Sequence, residues 1–378
     1  MRSPPIFASR LTDDLHAVAP DKHLNVIAPG APPKVPGAMA APPRSEGGVV
    51  RAERLAGNTG NIGYIGYIEI VGFPPPEVFR VPLDRAMAGL AKTKALIIDE
   101  RRHHGGSPAA EAYLIGYFLP KGAKPVVADR FVTRITGTET FKTEDFPTSP
   151  TPFSYAGKPV YVLTSSETIS GAEALAYSVQ TLHLAKIVGE TTAGGANPGG
   201  VVPLGAGFAM FLPTGRSENP VTKTNWEGVG VKPDIAVPAA DALRAALERL
   251  GGKSTATDIE ALSQARLFTP RTTAQPGSEA AVRRMIGELQ RNEPDYALMT
   301  DDMAKITRAQ LPRLHDTFTK LGELKTVTFE EVDVAGMTDV YDVQLAGGAL
   351  KFSIALAPDG KTAVAGFRSA GPPPVPQP

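Results

Sequence analysis

The chain has 378 residues, 42% hydrophobic and 21% charged, with a formal net charge of zero, the balance of a globular protein large enough for two or three domains. No segment concentrates Lys and Arg into the basic stripe that a phosphate backbone requires, so nucleic acid is excluded as a partner. The absence of cysteine excludes disulfides, thiolate metal sites and thiol nucleophiles, and no apolar run has the length of a membrane span.

The first residues, Met-Arg-Ser-Pro-Pro, lack the apolar stretch of a secretory signal. The expected location is therefore the cytoplasm or, if a leader has been removed, the periplasm or extracellular space. Phe7, Leu11, Leu15 and Val18 recur at helical spacing, and the helix they predict runs out at Asp21-Lys22-His23-Leu24. Residues 29–48 are dense in Pro, Ala and Gly, so 1–48 reads as a shortened helical segment followed by a linker.

From Asn61 short apolar runs alternate with helical stretches: Ile62 to Ile70, a helix near Leu83 to Ala91, then Ala95 to Asp99. The next helix should open at Ser107-Pro108, where the hydroxyl caps free amides and the proline gives up no needed hydrogen bond. A second round follows in Pro159 to Leu163, a helix from about Ser170 to Leu182, and Lys186 to Val188. Such alternation predicts an α/β layer architecture with active residues at strand ends, here over a core of residues 49–252. Polar residues 130–145 read as a hairpin or flap.

Ala239 to Leu250 predicts a helix that stops at Gly251-Gly252, and 253–277 reads as a linker. Helical segments near Ser278 to Arg291 and Met303 to Leu321, then three alternating strand-like runs with a tight turn at Asp359-Gly360, predict a small α+β domain over 278–370. The proline-rich residues 371–378 are expected to be disordered.

Ser170 follows the strand ending at Leu163 and precedes an apolar-periodic helix. At a helix N-terminus, free amides and the dipole stabilise developing negative charge, and Gly171 leaves its own amide open as an oxyanion donor. The same residues also fit a capping box, Ser170 with Glu173 three residues on, which needs no catalysis and is the commoner explanation of the local pattern. Gly105-Gly106 after the strand at Asp99 could bring backbone amides to a substrate carbonyl, or simply make a tight turn. Trp226-Glu227, just before two glycines, could orient a base or bind substrate, or anchor a surface turn. A serine needs a proton acceptor. His23, His103 and His104 lie in candidate loops, His183 on the helix after Ser170, and His16 and His315 on helical faces that suit structural roles.

Taken together, Asp21-Lys22-His23-Leu24, Gly60 to Tyr64, Ile97 through Gly106, Thr164 through Glu173, Gly189-Glu190-Thr191-Thr192 and Trp226 through Asp234 occur in an order that resembles the carboxyl-terminal processing (tail-specific) peptidases. The likeness covers roughly residues 7–250. It is greatest to the branch containing tricorn-like peptidases and the interphotoreceptor retinoid-binding protein. The resemblance implies a ClpP/crotonase-like spiral core with a serine peptidase site and no cofactor or metal, followed by an NTF2-like or cystatin-like domain. It assigns Ser170 as nucleophile and Gly171 with Gly105 or Gly106 as oxyanion hole; Glu173 is expected as a further catalytic carboxylate, and Trp226, Gly194 and Gly195 as substrate-binding positions. The lysine base of the processing branch falls on Gly195, so the base should instead be His23 with Glu227, as in the tricorn-like branch, although Lys22 stands where that branch has a second serine. Too few residues separate His23 from Asn61 for a PDZ module. The expected activity is peptide-bond hydrolysis on peptide or protein substrates, by a chain that could form homo-oligomers. The alternatives are an apolar-ligand carrier on the same fold and an esterase.

Overall fold

The computed structural model of the protein describes residues 3–29, 43–55, 64–251, 259–333 and 338–369. The expected strand start at Ile62, the Gly60–Gly63 part of the motif, most of the linker before residue 48 and the 371–378 tail lie outside them. Residues group into two compact units, which divide near Thr269 apart from two short pieces, Pro43–Gly48 and Glu77–Pro82, that belong with the second.

The first unit opens with α1 (Pro4–His16) and the short β1 (Asn25–Ile27). There follow β2 (Val49–Leu55), β3 (Ile65–Ile70), α2 (Pro76–Leu90), β4 (Ala95–Asp99) and α3 (Pro108–Gly116). Helix α2 is longer than expected because Pro76 sits in its first turn, where a missing N–H costs nothing. At the start of α3 the Ser107 hydroxyl accepts from the Ala110 amide at 3.4 Å, with Pro108 next to it. The polar segment is a hairpin, β5 (Val127–Arg134) with β6 (Phe141–Pro147). Then come β7 (Val160–Thr164), α4 (Gly171–Thr181), β8 (Lys186–Gly189), the antiparallel pair β9 (Gly199–Gly205) and β10 (Phe208–Pro213), β11 (Gly215–Ser217), β12 (Ile235–Ala236) and α5 (Ala242–Arg249).

A seven-stranded sheet runs β12-β8-β7-β4-β3-β2 and ends on β13 (Ser263–Phe268), which follows the single turn α6 (Ile259–Leu262). Strand β13 therefore stands inside the stretch read as a linker. It pairs antiparallel with β2, and Phe268 is its one fully buried residue, so as an edge strand it leaves little periodic signal. The pairings β3/β4, β4/β7 and β7/β8 are parallel, and β3 and β4 are buried throughout. Covering both faces of a parallel sheet turns its strands into continuous apolar runs, which is why these were readable. Helix α5 packs Ala242, Leu243, Ala246 and Leu247 against Ile65, Ile97, Leu163 and Val188. Two three-stranded sheets, β1-β10-β9 and β11-β5-β6, complete the unit.

The second unit holds α7 (Ser278–Arg291), α8 (Asp301–Leu321) and a meander of four strands rather than three: β14 (Leu324–Val332), β15 (Asp339–Leu345), β16 (Gly348–Leu356) and β17 (Thr362–Ser369). Its core joins Val282, Ile286 and Phe318 from the helices to Tyr341, Val343, Phe352 and Ile354 from the sheet. Among the described residues no helix is long and apolar enough to cross a membrane.

Candidate active site

Three parallel strands, β4, β7 and β8, end side by side at Asp99, Thr164 and Gly189, and the loops that leave them meet. The middle loop carries Ser170 as the N-cap of α4, with φ 61° and ψ −125°. A non-glycine residue seldom adopts such a backbone, which costs about 1–3 kcal/mol and persists only where neighbours impose it. Here they do. The Ser170 amide donates to Glu173 Oε2 (2.9 Å), the Ile169 amide to the His103 carbonyl (3.3 Å) and the Ala174 amide to the Ser170 carbonyl (3.0 Å). The Glu173 half of the capping box is thus present, and it holds the serine in an unusual conformation.

Glu173 does more than cap. Its carboxylate, fully buried, also accepts from the Thr192 hydroxyl (2.5 Å) and from the amides of Gly194 (2.6 Å) and Gly195 (2.8 Å). Burial pushes its pKa up to about 7, against the four donors that favour the anion. It ties the loop after β8 to the start of α4 and is absent from the cavity lining, so it serves as an anchor where the sequence suggested a catalytic carboxylate. Gly194 and Gly195 spend their amides on it and have none left for substrate.

Trp226 also differs from expectation. It is buried, packs at a tilt against Tyr177 with ring centroids 5.5 Å apart, and donates its indole N–H to the Gly195 carbonyl at 3.0 Å. It braces the loop from beneath and has no face on the cavity.

The glycine pair resolves by hydrogen-bond accounting. The Gly105 amide donates to His103 Nδ1 at 2.9 Å, whereas the Gly106 and Gly171 amides have no partner among the described residues. A Cβ on Gly105 would stand 2.7 Å from both Gly171 N and Ser170 Cβ, and one on Gly171 would stand 3.0 Å from Gly106 N. Only glycine permits this approach. The two free amides that flank Ser170 therefore belong to Gly106 and Gly171.

His23, between α1 and β1, and Ser170 line one cavity of about 410 Å³ together with Gly106, His104, Asn197, Ile27, Phe131, Ile169, Val201 and Phe211. The imidazole lies 5.4 Å from the Phe211 ring. Burial lowers its pKa below 6.5 although Asp21 pulls the other way, so it is unprotonated at neutral pH. Asp21, His23 and Glu227 bring ligand-type atoms within 4.8 Å of one another, close enough for a triad or for a single cation. Asp21 accepts from the His23 amide (2.8 Å) and from Asn197 Nδ2 (2.8 Å), and Glu227 Oε2 accepts from the Ala196 amide (2.6 Å). That leaves His23 Nδ1 and Glu227 Oε1 as the buried atoms without partners. Burial raises the Glu227 pKa, and the Ala196 amide opposes the rise.

Asp21 and Asn197 had no assigned role in the sequence reading; each touches its partner through chain segments 176 residues apart, so no local pattern could reveal them. The other histidines have separate duties. His183 takes the left-handed conformation (φ 56°) just beyond α4, His16 Nε2 contacts the Leu24 carbonyl at 2.6 Å, and His315 Nδ1 contacts the Leu289 carbonyl at 2.9 Å.

With this geometry, a strained serine at a helix start between two open glycine amides, the comparison with known families is direct. Residues 64–237 match Peptidase family S41. The matched segment contains Ser170, both free glycine amides, Gly195 and Glu227 but not His23. Among solved structures, a candidate peptidase from Parabacteroides merdae is similar at 22% identity, with 69% of this chain and 86% of that chain covered and a TM-score of 0.50. The photosystem II D1 C-terminal processing protease is similar at 19% identity, over 56% of this chain and 54% of that chain, with a TM-score of 0.42. The tricorn protease is similar at 19% identity over 50% of this chain and 18% of that chain, with a TM-score of 0.29. The chain thus spans about half the length of the D1 processing protease. The Parabacteroides likeness, at this identity, is one of fold.

Proposed function

We propose that the protein is a serine peptidase in which Ser170 attacks a peptide carbonyl and His23 takes the serine proton. The carbonyl oxygen, as it becomes an oxyanion, accepts from the amides of Gly106 and Gly171. Each such donor contributes on the order of 10²–10³ in rate when positioned for the oxyanion rather than the ground-state carbonyl. His23 then passes its proton to the leaving amine, and water, activated by the same imidazole, releases the acyl group and restores the serine hydroxyl. Glu227 and Asp21 orient and stabilise the imidazolium while it exists.

The observation that carries this reading is that Ser170, the Gly106 edge and the His23 ring border one cavity. The absence of a side chain at 195 supports His23 over a lysine as base, because a Cβ there would come within 3.0 Å of His23 Cε1. The imidazole uses space that a side chain at 195 would need. Substrates are peptides or proteins whose bound segment presents apolar side chains to Ile27, Phe131, Ile169, Val201 and Phe211. That apolar lining also favours a second reading, a carrier for an apolar ligand. Labelling with a fluorophosphonate separates the two. An adduct mapped to Ser170 in the native chain and lost in Ser170→Ala supports the hydrolase. Tight binding of an apolar ligand by a folded chain that never forms the adduct supports the carrier.

A further inference from the structure

Behind the glycine pair lies a histidine that touches nothing in the cavity. His103 is fully buried, and it ties together the chain at Phe73, Gly105 and Ile169. Its amide donates to the Glu100 carbonyl at 3.0 Å, its carbonyl accepts from Ile169 at 3.3 Å, and its ring packs on Phe73 with centroids 4.2 Å apart. Phe73 in turn brackets the pair, donating its amide to the Gly105 carbonyl (2.8 Å) and accepting from the Ser107 amide (2.7 Å). The ring fixes one tautomer. Nδ1 accepts the Gly105 amide, so the proton must sit on Nε2, which faces Glu100 Oε1 at 3.8 Å.

The Gly105 amide, spent on His103 Nδ1, is not open to an oxyanion, whereas that of Gly106 has no partner among the described residues. We propose that His103 is a positioning residue for the reaction proposed above: by taking the Gly105 N–H on Nδ1, it fixes the turn so that the Gly106 N–H, and not that of Gly105, meets the oxyanion beside Ser170. The inference rests on Ser170 being an acylating nucleophile. A buried imidazole serving only to fill space would need no acceptor at Nδ1, and a leucine or phenylalanine would pack as well.

The test has two parts. In the native chain, amide resonances are compared before and after Ser170 is phosphonylated by a fluorophosphonate, which expels fluoride. Gly106 and Gly171 amides should shift downfield while that of Gly105 stays in place and remains slow to exchange with solvent. A shift at Gly105 instead of Gly106 overturns the proposal. In the second part, His103→Leu removes the acceptor, and His103→Asn keeps one, since an asparagine oxygen can accept from the amide two residues on. His103→Leu should lose on the order of 10- to 100-fold in kcat with KM within about twofold, and His103→Asn should recover most of that loss. Equal kcat in all three proteins, or no recovery by a folded His103→Asn, contradicts it. If His103→Leu does not melt cooperatively, the resonance comparison still decides. Failure of the peptidase reading looks different: the native chain forms no adduct, while slow exchange at Gly105 still reports the bond to His103.

Discussion

Among the buried carboxyl groups of the first unit, Glu173 on one side and Glu100 with Glu111 on the other are built in opposite ways. Glu173, at the start of α4, collects four donors from two loops. Glu100 and Glu111, behind the Gly105–Gly106 turn, are equally buried and have no hydrogen-bond partner on any oxygen. The Ser178 hydroxyl donates to the Ala128 carbonyl at 2.9 Å. Burial raises all three pKa values, but the donors hold Glu173 to about 7 while Glu100 and Glu111 go well above the ordinary range. Glu173 gathers donors that favour its ionised form and ties two loops together, while Glu100 and Glu111 have none to offset their burial.

The sharpest break of this contrast is Glu173→Ala. It strands four donors in a dry interior, so stability should fall by about 3 kcal/mol or more in denaturant titration, and Ser170 acylation should fall with it, because the loop of Gly194 and Gly195 comes loose. A variant that keeps native stability would show that the four bonds are incidental.

Glu111→Gln probes the other member. A carboxyl whose pKa is raised by folding contributes its full stability below 4.5, the ordinary glutamate value, and loses it progressively as pH rises from there through the raised folded value. The slope is about 1.4 kcal/mol per pH unit for each such group. Glutamine does not ionise, so Glu111→Gln should match or trail the native chain near pH 4.5 and gain on it as the pH rises from there. Parallel melting curves across that range would mean that Glu111 is solvated. The smallest effect belongs to Gly195→Ala. Its Cβ meets His23 Cε1 and Ile169 at 3.0–3.2 Å, so turnover should drop several-fold with little change in melting temperature.

The same division governs what could be read in the sequence. Strands β3, β4, β7 and β8 and helices α3 and α4 were legible because a covered parallel sheet leaves unbroken apolar runs and its helices carry caps such as Ser107-Pro108. Strand β13 was not, since only Phe268 is fully buried on it. Ser170 stood out by its place after a strand, but a hydrogen-bond inventory was needed to choose between Gly105 and Gly106. Trp226 beside a glycine run looks like a pocket wall in one dimension; its indole bond to Gly195, a contact 31 residues away in the chain, makes it a brace. Asp21 and Asn197 are joined only by folding.

The central claim is that His23 accepts the Ser170 proton, and the pH dependence of Ser170 acylation tests it most directly. Burial lowers the His23 pKa below 6.5, so the native rate should be level at neutral pH and fall along a single-proton limb below 6.5, and His23→Ala should be slower by orders of magnitude with that limb gone. A His23→Ala protein that folds, acylates at the native rate and keeps the native acid limb would assign the proton to another group and contradict the account.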